Sequence, residues 1–119
     1  MANELDAGGL IHLLKQWTIP TWNERVMQDS IETILNTDAV PYFRELALVN
    51  GVIDFQCGTV GVECKVDSAK GSVMRQLSKY SVDPGISELL LVTTQVSHRG
   101  LEGITLQGKP VRVYWISPL

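Results

Sequence analysis

The sequence predicts an α/β domain built on a mixed sheet, and three observations carry that prediction. The 119 residues suit one domain, and 45% of them are hydrophobic against 19% charged, enough to bury a core. Apolar residues recur at helical spacing in some stretches and alternate, or run on continuously, in others. The order of the stretches is helix, three meandering strands, helix, strand, strand. A strand–helix–strand crossover in the second half implies parallel, right-handed pairing there.

Each element has its own signal. Residues 4–17 place Leu10, Ile11, Leu13, Leu14 and Trp17 at helical spacing. Gly8 and Gly9 weaken the first half of this helix by roughly 1 kcal/mol each relative to Ala. Ile19-Pro20 breaks the chain, so 1–20 reads as an N-terminal extension and 21–119 as the core of a single domain. "TWNERVMQDSIETILN" carries an apolar stripe of Val26, Met27, Ile31, Ile34 and Leu35, and Thr21 with Glu24 has capping-box spacing. "PYFRELALVNG" alternates as a strand ending in an Asn50-Gly51 turn. Strands follow at about 52–56 and 60–66. "SAKGSVMRQLSKYSV" is a helix with Val73, Met74, Leu77 and Tyr80 facing in, stopped by Asp83-Pro84-Gly85. "SELLLVTT" reads as a buried strand and "PVRVYWIS" as the last one, joined by an irregular segment that contains His98 and Arg99. A lone histidine in such a loop is most often solvated; contact with DNA is the other reading.

Composition narrows the classes of function. The net charge of −3 argues against a broadly basic nucleic-acid coat. The balance is uneven: residues 1–60 hold three basic and eight acidic side chains, and residues 61–119 hold seven and five. A polyanion site is therefore expected in the second half. No apolar run approaches the roughly 20 residues of a transmembrane helix, and the N-terminus lacks the pattern of a secretory signal. Two cysteines, Cys57 and Cys64, make no disulfide framework, so a cytoplasmic location is expected.

The stretch "GVIDFQCGTVGVECKV" concentrates the chemistry. With a two-residue Gly58-Thr59 turn of type II′, Cys57 pairs with Val60 and Asp54 falls opposite Glu63. Facing side chains share one side of the sheet at roughly 5 Å between Cβ atoms, and Lys65 lies on that side too. Two facing carboxylates repel and need a partner to stay ionised together. Mg²⁺ or Mn²⁺ suits them, because such ions prefer oxygen ligands and take one or two carboxylates with waters and substrate phosphates. Lys65 is then placed to hold water or phosphate charge. The plainer reading is an exposed Glu63–Lys65 ion pair on a solvated sheet face.

At these residues the chain resembles the PD-(D/E)XK nuclease superfamily. Asp54 stands for the acid of one strand, and Glu63-Cys64-Lys65 for the (D/E)-x-K of the next; Ile53 replaces the usual proline before the acid. Gln76-Leu77-Ser78-Lys79-Tyr80 matches the Q-x-x-x-Y of RecB-type members, with Gln76 and Tyr80 on one helix face. The resemblance, to small phage and bacterial nucleases, covers about residues 21–94. It implies a restriction-endonuclease-like core, a mixed central sheet flanked by helices. It also implies Mg²⁺ or Mn²⁺ held by Asp54, Glu63 and the Cys64 carbonyl, with Lys65, Gln76 and Tyr80 completing the catalytic set. Glu24 is a further candidate ligand by the same resemblance; its alternative is the capping box with Thr21. Arg44 or Glu45 can face the site, or both can lie on a solvated edge.

The expected activity is metal-dependent hydrolysis of DNA phosphodiesters, in a bacterial host cell if the chain is phage-encoded. The alternative is a non-catalytic DNA-binding or assembly module of the same fold. Lys70, Arg75 and Lys79 are candidate phosphate contacts, or ordinary solvated charges. So small a nuclease has little surface for a duplex, so a homo-oligomer is expected, with Trp17, Trp22, Tyr114 and Trp115 available to an interface or to the core.

Overall fold

The computed structural model describes residues 5–118. Its elements in chain order are α1 (Ala7–Leu14), α2 (Glu24–Thr37), β1 (Phe43–Leu48), β2 (Gly51–Cys57), β3 (Val60–Lys65), α3 (Lys70–Ser81), β4 (Glu88–Thr93), a 3-10 turn (Val96–Leu101), β5 (Thr105–Leu106) and β6 (Lys109–Trp115). The six strands form one mixed sheet in the order β1-β2-β3-β4-β6-β5. The first three pair antiparallel, β3, β4 and β6 pair parallel, and β5 returns antiparallel to β6.

Each face of the sheet has its own core, as burying both faces of a parallel segment requires. Leu10 and Leu14 of α1 and Met27, Ile31 and Leu35 of α2 pack on Phe55, Val62, Cys64, Leu90 and Val92. Val73, Leu77 and Tyr80 of α3 pack on Ile53, Leu89, Leu91 and Val111 on the other face. The 1–20 segment thus feeds the first core through α1, whose Asp6 accepts a hydrogen bond from the Gly9 N–H at 2.7 Å as its N-cap.

Three local expectations are corrected. Asn23, not Thr21, caps α2: its Oδ1 accepts the Val26 N–H at 2.8 Å. A cap one residue before Glu24 leaves no capping box for that glutamate to close. The β1–β2 turn consists of Val49 and Asn50, because Leu48 pairs with Gly51. Gly51 is already in the strand, and the Val49 N–H is held by Asp83 Oδ2 at 3.0 Å. His98 is fully buried rather than solvated. Its Nδ1 lies 2.7 Å from Thr93 Oγ1 and its Nε2 2.8 Å from the Ser68 carbonyl, so the imidazole ties the 3-10 turn to the end of β4 and the start of the β3–α3 connection.

The second hairpin takes the expected register. Cys57 pairs with Val60, and Gly58 has φ 59° while Thr59 does not, the signature of a type II′ turn. Gly61 matters at this level: a Cβ there would lie 2.6 Å from Ile53 Cδ1, so any larger residue would have to displace that side chain.

One irregularity shapes the molecule. In a regular strand residues i and i+2 share a face. Ile53 and Phe55 nevertheless belong to opposite cores, and so do their β1 partners. Leu46 packs with the second core, while the Arg44 guanidinium sits 5.6 Å over the Phe55 ring in the first. Both strands roll over at the Glu45–Asp54 level. There Glu45 takes φ 52° and the pair drops out of the β1–β2 ladder. A left-handed non-glycine residue inside a strand is unusual and costs about 1–3 kcal/mol, so the surrounding structure must hold it.

Candidate functional site

The rollover opens a gap in the sheet, and the carboxylates fill it. The β2–β3 ladder ends at Phe55–Val62, one pair short of Asp54–Glu63. Side chains replace the missing backbone bonds. The Asp54 N–H donates to Glu63 Oε1 at 3.3 Å, and the Cys64 N–H donates to Asp54 Oδ2 at 2.8 Å. Each carboxylate thus accepts from the opposite strand. The N–H and C=O of one strand residue point to the same neighbour, so the Cys64 carbonyl also opens toward this gap.

The Glu63 side chain is only 3% exposed, and Lys65 Nζ lies 3.5 Å from its Oε2. Burial, then the charge of Asp54, push Glu63 up to about 8 against 4.5 for an ordinary glutamate, and Lys65 only partly opposes this. Asp54 is also raised, first by burial, with the Cys64 N–H and Lys65 pulling the other way and the charge of Glu24 adding to the rise. The pair is therefore short of positive charge.

Tyr80 closes one side. Its hydroxyl donates to the Val52 carbonyl at 2.8 Å and accepts from Gln76 Nε2 at 2.8 Å. The single phenolic proton is committed to Val52, so Glu63 Oε2, 3.5 Å from the same hydroxyl, gains little from it. Gln76 and Tyr80, one turn apart on α3, clamp the helix to β2 beside the carboxylates. Glu24 reaches the opposite side: its Oε2 accepts from the Val66 N–H at 3.4 Å, just past β3. The Asn23 cap removes the capping-box reading of Glu24, and the charge of its carboxylate is felt at Asp54.

The structure therefore brings Asp54, Glu63, Lys65, Gln76, Tyr80 and Glu24 together. Lys70, Arg75 and Lys79 do not join them; they are exposed on α3 and form no ion pair among the described residues. The first strand divides the two residues that were open: Glu45 is exposed, whereas Arg44 is half-buried and bound to Asp29 and Glu32, both at 2.9 Å. Arg44 thereby fixes β1 to α2 immediately beside the rollover. Nothing in the pattern of β1 distinguishes it from an exposed edge arginine.

The chain matches no family model, no curated protein and no solved structure.

The chemistry of the site must then be judged from its donors. Among the described residues no three His, Cys, Asp or Glu side chains form a group arranged to hold a metal ion. The donors in the gap are two carboxylates and a backbone carbonyl. This set suits Mg²⁺ or Mn²⁺, which keep several waters and take few protein ligands, and does not suit zinc, which favours four nitrogen or sulfur ligands. The Cys64 thiol points into the first core, where burial raises it well above the ordinary cysteine range, so it is no nucleophile.

Proposed function

We propose that the protein is a Mg²⁺- or Mn²⁺-dependent nuclease that hydrolyses DNA phosphodiester bonds. The observation that carries the reading is the gap in the β2–β3 ladder, which gathers a buried glutamate, a half-buried aspartate and one lysine beside the two acids. A packing role alone gives no reason to bury acids there. The order α2-β1-β2-β3-α3-β4 around the mixed sheet supports a restriction-endonuclease-like core.

Asp54 and Glu63 would hold the ion, with the Cys64 carbonyl and Glu24 as further donors. A bound divalent ion lowers the pKa of water and neutralises charge on a phosphate in the transition state. Lys65, beside Glu63, holds a cation where a phosphate oxygen or an attacking water would sit. Tyr80 and Gln76 keep α3 and β2 fixed around the pair, so the carboxylates do not splay when substrate arrives. Lys70, Arg75 and Lys79 offer exposed charge for the DNA backbone. Two buried free cysteines fit a reducing cytoplasm, and exposed Trp17 and Trp22 are candidates for a homo-oligomer contact.

The test is cleavage of plasmid and single-stranded DNA with Mg²⁺, Mn²⁺ or EDTA. Metal-dependent cleavage lost in Glu63→Ala and Lys65→Ala supports the assignment; equal cleavage by these variants removes it. A second reading, a non-catalytic DNA-binding or assembly module of the same fold, is favoured by the carboxylates already having backbone N–H partners. It predicts no turnover with any metal and tolerance of Asp54→Ala in binding.

A further inference from the structure

A second feature lies at the same end of the sheet. A cleft of about 350 Å³ opens at the outer edge of β6, lined by Lys15 of α1, Arg99 and Glu102 around the 3-10 turn, and Arg112, Tyr114 and Trp115 of β6. Three cations face one carboxylate, in a chain whose net charge is −3. The carboxylate is already engaged. Glu102 Oε1 accepts the Val113 N–H at 2.8 Å, and its Oε2 accepts Arg112 Nε at 3.0 Å. Lys15 and Arg99 therefore carry uncompensated charge into the cleft; neither forms an ion pair among the described residues. The Arg99 guanidinium lies 5.0 Å over the Trp115 ring, and Trp115 Nε1 donates to the Thr94 carbonyl at 3.1 Å. Stacking fixes the plane of the guanidinium and leaves its edge donors free for an anion.

The register places this cleft relative to the acidic pair. Lys65 pairs with Thr93, and Thr93 with Trp115. The three residues stand side by side across β3, β4 and β6 on one face. Trp115 is thus two strand spacings, about 10 Å, from Lys65. We infer that the β6 cleft is a subsite for a nucleotide of single-stranded nucleic acid, with Lys15 and Arg99 binding its phosphate and the aromatic edge of β6, Tyr114 on one face and Trp115 on the other, contacting its base. This rests on the nuclease reading of the neighbouring carboxylates. A single strand is specified because its bases are free to meet an aromatic wall, whereas a duplex presents mainly phosphates.

The test is fluorescence anisotropy with a labelled oligothymidylate in EDTA, where no cleavage interferes. Lys15→Ala/Arg99→Ala should weaken binding at least tenfold. It should also reduce the slope of log affinity against log salt by about 0.7, the value for one single-strand phosphate. Lys109→Ala, which removes a charge at the far end of β6, should bind within twofold of the parent. Thermal melts check that the variants fold, as exposed positions 15 and 99 allow. Parent-like binding by Lys15→Ala/Arg99→Ala, or tighter binding of a duplex by the parent, overturns the subsite. Metal-dependent cleavage of the same oligonucleotide separates the two claims. Cleavage with unchanged KM in the double variant removes the subsite and leaves the nuclease. Binding that depends on Lys15 and Arg99 without any metal-dependent cleavage leaves the subsite and removes the nuclease.

Discussion

Glu63 should make the metal-free protein less stable as the solution becomes more basic. Its folded pKa of about 8 lies above the 4.5 of an ordinary glutamate. Between those values the unfolded chain has released a proton that the folded chain retains, so stability falls as pH rises. The contribution is fully present below about pH 4.5 and is lost as pH passes through about 8. At about 1.4 kcal/mol per unit, the rise from 4.5 to about 8 is worth on the order of 5 kcal/mol at most, a large share of a small domain's stability. Asp54, also raised, acts in the same direction. Glu63→Gln removes the titrating group and should flatten the profile. Urea unfolding in EDTA at about pH 5 and about pH 8.5 measures both proteins, and the difference between parent and variant isolates the Glu63–Asp54 pair from groups remote from it. Adding Mn²⁺ at the higher pH should restore the parent by ligand linkage and leave Glu63→Gln unmoved. A parent whose stability is flat or rises across this range, or a variant that falls as steeply, would refute the reasoning.

Three further substitutions test the framework around the site. Asn23→Ala should cost about 1 kcal/mol in urea unfolding by removing the α2 cap, while Thr21→Ala should be near neutral; the reverse order would restore the Thr21 capping box. Gly61→Ala should cost about 1–3 kcal/mol through overpacking against Ile53, and an unchanged melting temperature would contradict the close contact. His98→Ala should cost about 2–3 kcal/mol by leaving Thr93 and the Ser68 carbonyl without their partner, read from the same melts.

Much of the fold was legible because periodicity reports burial. The stripe of α2, the continuous run of β4 and the Gly58-Thr59 turn each have a local cause, and each stands where its pattern put it. That turn brought Asp54 and Glu63 to neighbouring positions, but the ladder stops one pair short of them and side-chain hydrogen bonds join them instead. The rollover at Glu45 was not legible. Leu46 and Leu48 continue the alternation of Tyr42 and Arg44, and both faces of the sheet bury apolar groups, so a strand that changes faces keeps the same pattern. Arg44 and His98 were missed for a related reason. A charged or polar side chain is buried or half-buried when its partners lie outside its own element, here Asp29 and Glu32 for Arg44 and Thr93 and Ser68 for His98, and periodicity within an element does not report them. The α2 cap lies two residues after Thr21 because Thr21 and Asn23 are both good capping residues, and the backbone decides between them.

The most direct measurement is anomalous diffraction from crystals soaked in Mn²⁺ near pH 8. One Mn²⁺ peak bound by the Asp54 and Glu63 carboxylates is the predicted result. An empty gap, with Asp54 still on the Cys64 N–H and Glu63 still on the Asp54 N–H, would contradict the metal-dependent reading of this site.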